Sequence, residues 1–241
     1  MNISYVDGLE PTKNGFGYMH AKSFIMDEFV AFAKTSKNAV LDIGSAYGIA
    51  TIRCLNKGSK VIACDICEDH LKILLQRISP NRQKNLKTIV GRFPNQINFE
   101  NKTIGAVLIS HVLSFLEGYE IENGMKKIYN WLDDSGIIFI LNYTPYHKTL
   151  EKFIPVYEQR ILNKEEWPGL IEDKRKFSNN DVLLDQVPNR VNLMDIEILK
   201  KVAIKSGFRI EMLKYIGGAD QGVPAAFCLN EMEWVGMIAS K

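Results

Sequence analysis

The sequence lacks the features that mark a secreted, membrane-spanning or nucleic-acid-binding protein. Its four cysteines show no paired spacing of a disulfide framework, which favours a reducing compartment and therefore the cytoplasm. The longest apolar run, Ala106 to Leu116, is too short to cross a bilayer and contains His111. Lys and Arg number 30 against 28 Asp and Glu, so the net charge is only +2, and the basic residues are scattered. We therefore expect no membrane and no nucleic acid as a partner.

A metal site is also not expected. The spacing Cys64-x-x-Cys67-x-x-His70 has the residue types of a metal site, but no second pair of ligands lies nearby in the sequence. Cys64 is expected to point into a sheet, whereas Cys67 and His70 begin the next helix. We predict that Cys64 packs in the core and that His70 is exposed to solvent.

The most informative segment runs from Asn38 to Thr51. Within it, Ala39 to Ile43 is a short apolar run, typical of a parallel strand covered on both faces. Gly44 and Gly48 then bracket a loop in which the backbone can turn sharply and approach a ligand. Open α/β sheets bind their ligands where such a strand meets the start of a helix. The segment therefore predicts a small-molecule site.

The glycine spacing distinguishes between two kinds of ligand. The dinucleotide pattern G-x-G-x-x-G, anchored at Gly44, fails at Ala46 and at Ile49. The spacing G-x-G-x-G, anchored at the same glycine, fails only at Ala46 and is preceded by Asp42. This pattern, from Val40 to Gly48, resembles the glycine-rich loop of class I S-adenosylmethionine-dependent methyltransferases. A side chain at Ala46 requires a negative φ at that residue.

A second predicted strand, Ser59 to Asp65, ends in an acid. A carboxylate at this place can accept both ribose hydroxyls of an adenosine ligand, at about 1.5–3 kcal/mol for each hydrogen bond to a charged group. Dinucleotide-binding enzymes place an acid similarly. Asp65 is therefore better evidence for the adenosine part of the ligand than for its methionine part. The alternative is a solvated cap of the helix that begins near Glu68.

Strand and helix patterns alternate through most of the chain, which predicts parallel pairing with right-handed crossovers. The further predicted elements are strands at Leu86–Val90, Thr103–Ser110, Gly136–Asn142, Phe208–Ile216 and Met232–Ala239, and helices at Glu68–Ser79, Glu120–Leu132 and Leu193–Lys205. No helix separates the last two strands, so they are expected to pair antiparallel across the loop Gly217–Pro224. The predicted fold is α/β, with a doubly wound, mostly parallel seven-stranded sheet and a C-terminal antiparallel hairpin. This arrangement also resembles the methyltransferase fold.

We expect a single methyltransferase-like domain over residues 1–241. Its predicted parts are an N-terminal helical lid at 1–37, a cofactor-binding core at 38–143, a lid or substrate insertion at 144–190, and the last helix with the hairpin at 191–241. Helices are predicted at His20–Lys34 in the first segment and near Leu150–Leu162 in the insertion. In related enzymes, additions at these two places cover the active site. The alternative is a helical buttress without ligand contact.

The resemblance implies S-adenosyl-L-methionine as cofactor and S-adenosyl-L-homocysteine as product. It implies a cofactor site at Asp42, Gly44, Ser45, Ala46, Gly48, Asp65, Ile66, Arg92, Phe93, Ser110 and His111. In this site the methionine part crosses the loop, Asp65 holds the ribose and Ile66 presses on the adenine. No acid follows the third strand, so either a backbone carbonyl recognises the adenine or Phe93 only stacks on it.

His111 is the leading candidate for a catalytic base, because it follows the fourth strand and titrates near neutral pH. The alternative is that it caps a helix or lines the cofactor pocket. His20 and His147 are weaker candidates, one in each lid segment. The candidate acceptor contacts are aromatic: Tyr18, Tyr143, Tyr146, Tyr157 and Trp167.

The sequence therefore predicts methyl transfer to an oxygen or nitrogen of a small-molecule acceptor. Three alternatives stay open: a non-catalytic S-adenosylmethionine-binding module, a methyltransferase acting on protein or RNA, and a nicotinamide-dependent oxidoreductase. The sequence gives no oligomeric state.

Overall fold

The structure is a computed structural model that describes residues 9–20, 23–178, 187–223 and 228–241, without the side chains of Leu9, His20 and Asp220. Its strands are β1 Leu9–Pro11, β2 Tyr18–His20, β3 Ala39–Ile43, β4 Val61–Asp65, β5 Leu86–Val90, β6 Ile104–Ser110, β7 Leu132–Tyr143, β8 Leu170–Ile171, β9 Val191–Asn192, β10 Arg209–Ile216 and β11 Trp234–Ser240. Its α-helices are α1 Phe24–Ala33, α2 Ile49–Asn56, α3 Glu68–Arg77, α4 Pro80–Gln83, α5 Gly118–Trp131, α6 Ile154–Leu162 and α7 Ile196–Lys205.

Seven strands form the main sheet in the order β10-β11-β7-β6-β3-β4-β5. The five strands from β7 to β5 run parallel to one another. Strand β11 runs antiparallel to both β7 and β10. The predicted mostly parallel sheet with a C-terminal antiparallel pair is therefore confirmed.

Apolar side chains cover both faces of this sheet, as is typical of parallel strands rich in apolar residues. The side chains of successive residues of β3 point to opposite faces of the sheet. Val40 packs with α1, α2 and α3 on one face, and Leu41 packs with α5 and α7 on the other. Both side chains are fully buried. The carboxyl ends of β3, β4 and β6 are thereby held side by side, and the polar residues that follow them share one edge of the sheet.

The N-terminal segment differs from its prediction. Tyr18–His20 is a strand that pairs antiparallel with Leu9–Pro11, and the helix predicted from His20 begins only at Phe24. The hydroxyl of Ser23 accepts a hydrogen bond from the backbone N–H of Met26 at 3.3 Å, which caps the helix there. We call residues 9–20 the N-terminal hairpin.

The helix predicted to continue to Ser79 ends at Arg77. Pro80 does not simply close it, because this proline is the first residue of the short helix α4. Proline suits the first helical position, where its missing N–H and fixed φ carry little cost.

The insertion after β7 forms its own layer. A 3₁₀ turn at Lys148–Phe153 leads into α6, which confirms the predicted helical portion. The strands β8 and β9 pair antiparallel and bring residue 192 opposite Leu170. Within the described residues, no helix combines the length and apolar character needed to cross a bilayer.

Candidate active site

A cavity of about 460 Å³ lies at the carboxyl ends of β3, β4 and β6. Its wall on the sheet side includes Asp42, Gly44, Ser45, Ala46, Asp65 and Ile66. The N-terminal hairpin adds Thr12, Asn14, Phe16 and Tyr18. The opposite wall comes from the turn after β6 and from the insertion, including Phe115, Glu117, Leu170, Arg190 and Asn192. Residues far apart in sequence thus enclose one space.

The loop after β3 depends on left-handed backbone. Gly44 has φ +72°, and a Cβ there would lie 2.3 Å from Cγ2 of Val112. Gly48 has φ +83°, and a Cβ there would lie 2.1 Å from Cδ1 of Leu74. Both positions require glycine, because the backbone there is left-handed and because a side chain would collide with a neighbouring residue.

Ala46 contradicts the expectation of a negative φ, because its φ is +46°. Its backbone N–H donates to Oδ2 of Asp65 at 2.8 Å, which holds the loop in this conformation. The carboxylate at the end of β4 therefore fixes the loop after β3.

Asp42 is buried below the loop, where Oγ1 of Thr51 donates to its Oδ2 at 2.7 Å. Burial raises the pKa of Asp42 to about 6, and the hydrogen bond from Thr51 only partly opposes this rise. Asp42 therefore changes its charge close to neutral pH.

Asp65 is buried and accepts three hydrogen bonds. Besides the bond from Ala46 to Oδ2, its Oδ1 is 2.8 Å from the backbone N of Cys67 and 3.1 Å from Nδ1 of His70. His70, predicted to be exposed, is 1 % exposed and lines the cavity. The prediction was wrong because His70 and Leu74, four residues apart on α3, share the face that packs on the protein.

The buried polar atoms of the cavity wall that lack a hydrogen-bond partner within the described part of the chain include Oγ of Ser45, Nε2 of His70 and Oδ1 of Asn192. A buried polar group without a partner costs about 1–3 kcal/mol. Ser45 also lies just before α2, whose first backbone N–H groups receive no side-chain cap from the residues that the structure describes. The hydroxyl of Ser45 and the backbone N–H groups at the start of α2 are hydrogen-bond donors, so this edge of the cavity suits a ligand carboxylate.

The loop after β5 is fixed by an ion pair between a partly exposed arginine and a buried glutamate. Arg92 pairs with Glu120, which is 2 % exposed and also accepts from Nδ2 of Asn95 at 2.9 Å. Phe93 is buried, and a Cβ at Gly124 would lie 2.4 Å from its Cζ. Arg92 and Phe93 both line the cavity, but the guanidinium is engaged by Glu120 and the ring tip by α5.

Solved structures with this fold cover most of the chain. An S-adenosylmethionine-dependent methyltransferase from Methanosarcina mazei aligns with a TM-score of 0.64 and 14% identity, over 88% of this chain and 96% of its own. A second, from Mesorhizobium loti, aligns with a TM-score of 0.63 and 12% identity, over 92% and 100%. A glycopeptide N-methyltransferase in complex with S-adenosyl-L-methionine aligns with a TM-score of 0.57 and 15% identity, over 89% and 86%. At these identities the likeness concerns the fold.

A comparison of the sequence with protein-family models gives a more specific result than the fold does. The model of the family described as methyltransferase domain matches residues 40–136, which contain the glycine loop, Asp65 and the turn after β6. Residues 40–136 therefore match a methyltransferase domain, and the fold around them is that of S-adenosylmethionine-dependent methyltransferases. A search of curated proteins found no significant match. The cofactor of this methyltransferase is S-adenosyl-L-methionine.

His111 of the methyltransferase lines the cavity in a left-handed backbone conformation, with φ +58°. Its ring stacks on Tyr143 with centroids 4.2 Å apart and meets the edge of Trp234 at 5.0 Å. Its backbone N–H donates to the carbonyl of Leu141 at 2.7 Å. The imidazole is therefore held in one orientation beside Ser110.

The other candidate residues divide into two groups. Tyr18 lines the cavity, whereas Tyr143, Tyr146, Tyr157, Trp167 and His147 lie outside its lining. Tyr157 is buried in the apolar cluster of the insertion, and Trp167 packs on Gly118. His147 lies behind Tyr143, where burial lowers its pKa to about 4. The side chain of His20 lies outside the described residues.

Tyr47 joins the glycine loop of the methyltransferase to the N-terminal hairpin. Its hydroxyl accepts from the backbone N–H of Lys13 at 2.9 Å and donates to the carbonyl of Pro11 at 3.3 Å. The guanidinium of Arg77 lies over its ring at 5.0 Å and pairs with Glu10 at 2.9 Å. Sequence reasoning missed Tyr47, which contacts the hairpin, and Asn192, which lines the cavity, because nothing local in the sequence indicates either placement.

Proposed function

We propose that this methyltransferase transfers its methyl group to an oxygen or nitrogen of a small-molecule acceptor. The observation that carries this proposal is the single cavity shared by the cofactor loop, the N-terminal hairpin and the insertion. Its volume of about 460 Å³ lies within the roughly 300–1,000 Å³ typical of small-molecule pockets. An acceptor that belonged to a folded macromolecule would need a more open approach.

We assign the cofactor to the sheet side of this cavity. Asp42 and the loop from Gly44 to Gly48 would hold the methionine part, with Ser45 and the start of α2 at its carboxylate. Asp65 would hold the ribose, and Ile66, which is 48% exposed, would cover the adenine. When bound, S-adenosylmethionine supplies a methyl group on a positively charged sulfur, so the leaving group needs no further activation.

The protein's part in such a transfer is alignment and exclusion of water. Phe16 of the hairpin and Phe115 of the turn after β6 meet edge to face at 5.4 Å across the cavity wall. We infer that the segments at 1–37 and 144–190 act as lids, the first through Phe16 and the second through Leu170 and Arg190, which line the cavity. The contacts of Tyr47 with the hairpin support this inference, since they attach the lid to the cofactor loop itself.

We assign His111 as the base for an acceptor that must lose a proton, such as a hydroxyl. The ring packing against Tyr143 and Trp234 supports this assignment, because a base is effective only in a fixed orientation. Tyr18 is the tyrosine we place at the acceptor. A cytoplasmic location stays a prediction from the cysteine content.

The test uses methyl-labelled S-adenosylmethionine with the purified protein and three separate acceptor pools. One pool contains small phenols, catechols, amines and carboxylic acids, the second total RNA, and the third denatured and native protein. We expect label in the small-molecule pool and equimolar S-adenosylhomocysteine. Label in RNA or protein alone would overturn the small-molecule assignment. For a hydroxyl acceptor found in this way, His111→Ala should lower kcat by about 10²–10⁴-fold and weaken cofactor binding by a smaller factor.

A further inference from the structure

The hydrogen-bond capacity of Asp65 is nearly exhausted before any ligand binds. A carboxylate has about four lone-pair positions, two on each oxygen. The backbone N–H of Cys67 and Nδ1 of His70 occupy both positions on Oδ1, and the backbone N–H of Ala46 occupies one on Oδ2. One acceptor position remains for two ribose hydroxyls.

The ring of His70, next to Asp65, offers a further hydrogen-bond acceptor position, and no described residue uses it. An ionised carboxylate can only accept, so Nδ1 of His70 is the donor toward Asp65. In the neutral ring Nε2 then presents a lone pair, and this atom is buried and without a hydrogen-bond partner within the described part of the chain. The residue lines the cavity that contains Asp65.

The ring of His70 is held in place on two sides. Asp65 fixes Nδ1 at 3.1 Å, and the ring of Tyr47 meets it edge to face with centroids 5.0 Å apart. Reorienting the ring to give Nε2 another partner would break the bond to Asp65. The unpartnered atom is therefore a stable feature of this wall.

We propose that the ribose is bound by two residues, with one hydroxyl donating to Oδ2 of Asp65 and the other donating to Nε2 of His70. This inference rests on the proposed place of the ribose at Asp65. It replaces the expectation that Asp65 accepts both hydroxyls, and it adds to the cofactor site a residue that the sequence had placed in solvent.

The test measures affinity by calorimetry for three ligands: S-adenosylhomocysteine and its 2′-deoxy and 3′-deoxy analogues. Wild-type protein should bind each deoxy analogue about tenfold more weakly than the parent. His70→Asn keeps a donor near Nδ1 for Asp65 but has no atom at the place of Nε2. It should bind the parent about tenfold more weakly, lose nothing further with one deoxy analogue, and still lose affinity with the other.

His70→Gln is the matched variant, since its side-chain oxygen reaches the place of Nε2. It should bind the parent more tightly than His70→Asn and discriminate against both deoxy analogues. A merely structural histidine would lower the affinity for all three ligands by the same factor in both variants, and this result would overturn the proposal. If Asp65→Asn leaves binding of the parent unchanged, the ribose site itself is wrong. A loss with Asp65→Asn together with wild-type behaviour of His70→Asn contradicts only the role of His70.

Nitrogen NMR of wild-type protein gives a readout that needs no variant. With ¹⁵N-labelled histidine, binding of S-adenosylhomocysteine should shift the Nε2 resonance of His70 in the direction of hydrogen bonding and leave its Nδ1–H signal in place. The shift should disappear with one of the two deoxy analogues. An Nε2 resonance that does not respond to the parent ligand would contradict the proposal.

Discussion

The backbone N–H of Ala46 donates to Oδ2 of Asp65 at 2.8 Å, which ties the loop after β3 to the end of β4. The same carboxylate accepts from the backbone N–H of Cys67 at the start of α3. Asp65 therefore shapes the cofactor loop in addition to its proposed contact with the ribose. A substitution at Asp65 therefore affects both the conformation of the cofactor loop and the proposed contact with the ribose.

Asp65→Asn should weaken binding of S-adenosylhomocysteine by at least about tenfold, which corresponds to about 1.4 kcal/mol. The amide keeps one acceptor oxygen, and its NH₂ group must face a backbone N–H that now has no acceptor. Calorimetric titration measures the effect. Asp69→Asn, at an exposed position of α3 where the acid pairs with Lys72, is the control and should bind like wild type. Equal affinities of the two variants would refute the role of Asp65.

Gly44→Ala should reduce affinity for S-adenosylhomocysteine at least about tenfold, since its Cβ would meet Val112 at the cavity wall. Gly58→Ala is the matched control, because Gly58 has φ +89° but a Cβ there would meet no other atom within 4 Å. This control should cost about 1–2 kcal/mol of stability through backbone strain alone and leave affinity unchanged. Calorimetry and chemical unfolding separate the two effects. Loss of affinity in both variants would mean that strain, and not the cavity wall, is responsible.

Ala46→Gly should raise the free energy of unfolding by up to about 1 kcal/mol. Relief of the left-handed strain, about 1–2 kcal/mol, outweighs the entropy that glycine adds to the unfolded chain. Ala50→Gly, in the first turn of α2, is the comparison and should lower the same free energy by about 1 kcal/mol. Urea unfolding gives both values. A destabilised Ala46→Gly would show that the loop is not strained at this residue.

Stability should fall as pH rises from about 4 to about 6, through the titration of Asp42. Its pKa of 3.8 in the unfolded chain rises to about 6 in the folded protein, so the folded state holds the proton more tightly within this window. Unfolding then releases a proton, and the free energy of unfolding decreases with pH, by about 3 kcal/mol for a shift of about two units. Above pH 6 this contribution is constant.

Urea unfolding of wild type and Asp42→Asn at several pH values isolates this contribution. The difference between the two proteins should grow from pH 4 to pH 6 in favour of the variant and then level off. Parallel pH profiles would show that Asp42 keeps an ordinary pKa in the folded state.

The sheet was predictable because its signals are local. Ala39–Ile43 and Leu86–Val90 begin and end as predicted, since each is a short run containing β-branched and apolar residues with a glycine directly after it. The last two strands were recognisable from the glycine-rich segment between them. Strands of three residues, as in the N-terminal hairpin, are too short to show a periodicity.

The site was less predictable because its decisive contacts join distant residues. The sign of φ at Ala46 depends on a carboxylate 19 residues later. Arg92 was assigned to the cofactor without its partner Glu120, which lies 28 residues further along. The burial of His70 did have a sequence signal, since it shares a helix face with Leu74, four residues on. The expectation of exposure rested instead on the place of His70 near the start of this helix.

A crystal structure with S-adenosylhomocysteine bound is the decisive experiment for the cofactor site. We expect the ligand in the cavity of about 460 Å³, with its ribose hydroxyls at Asp65 and His70 and its carboxylate at Ser45. Density for the ligand elsewhere, or a ribose turned away from the end of β4, would show that the site is wrongly assigned.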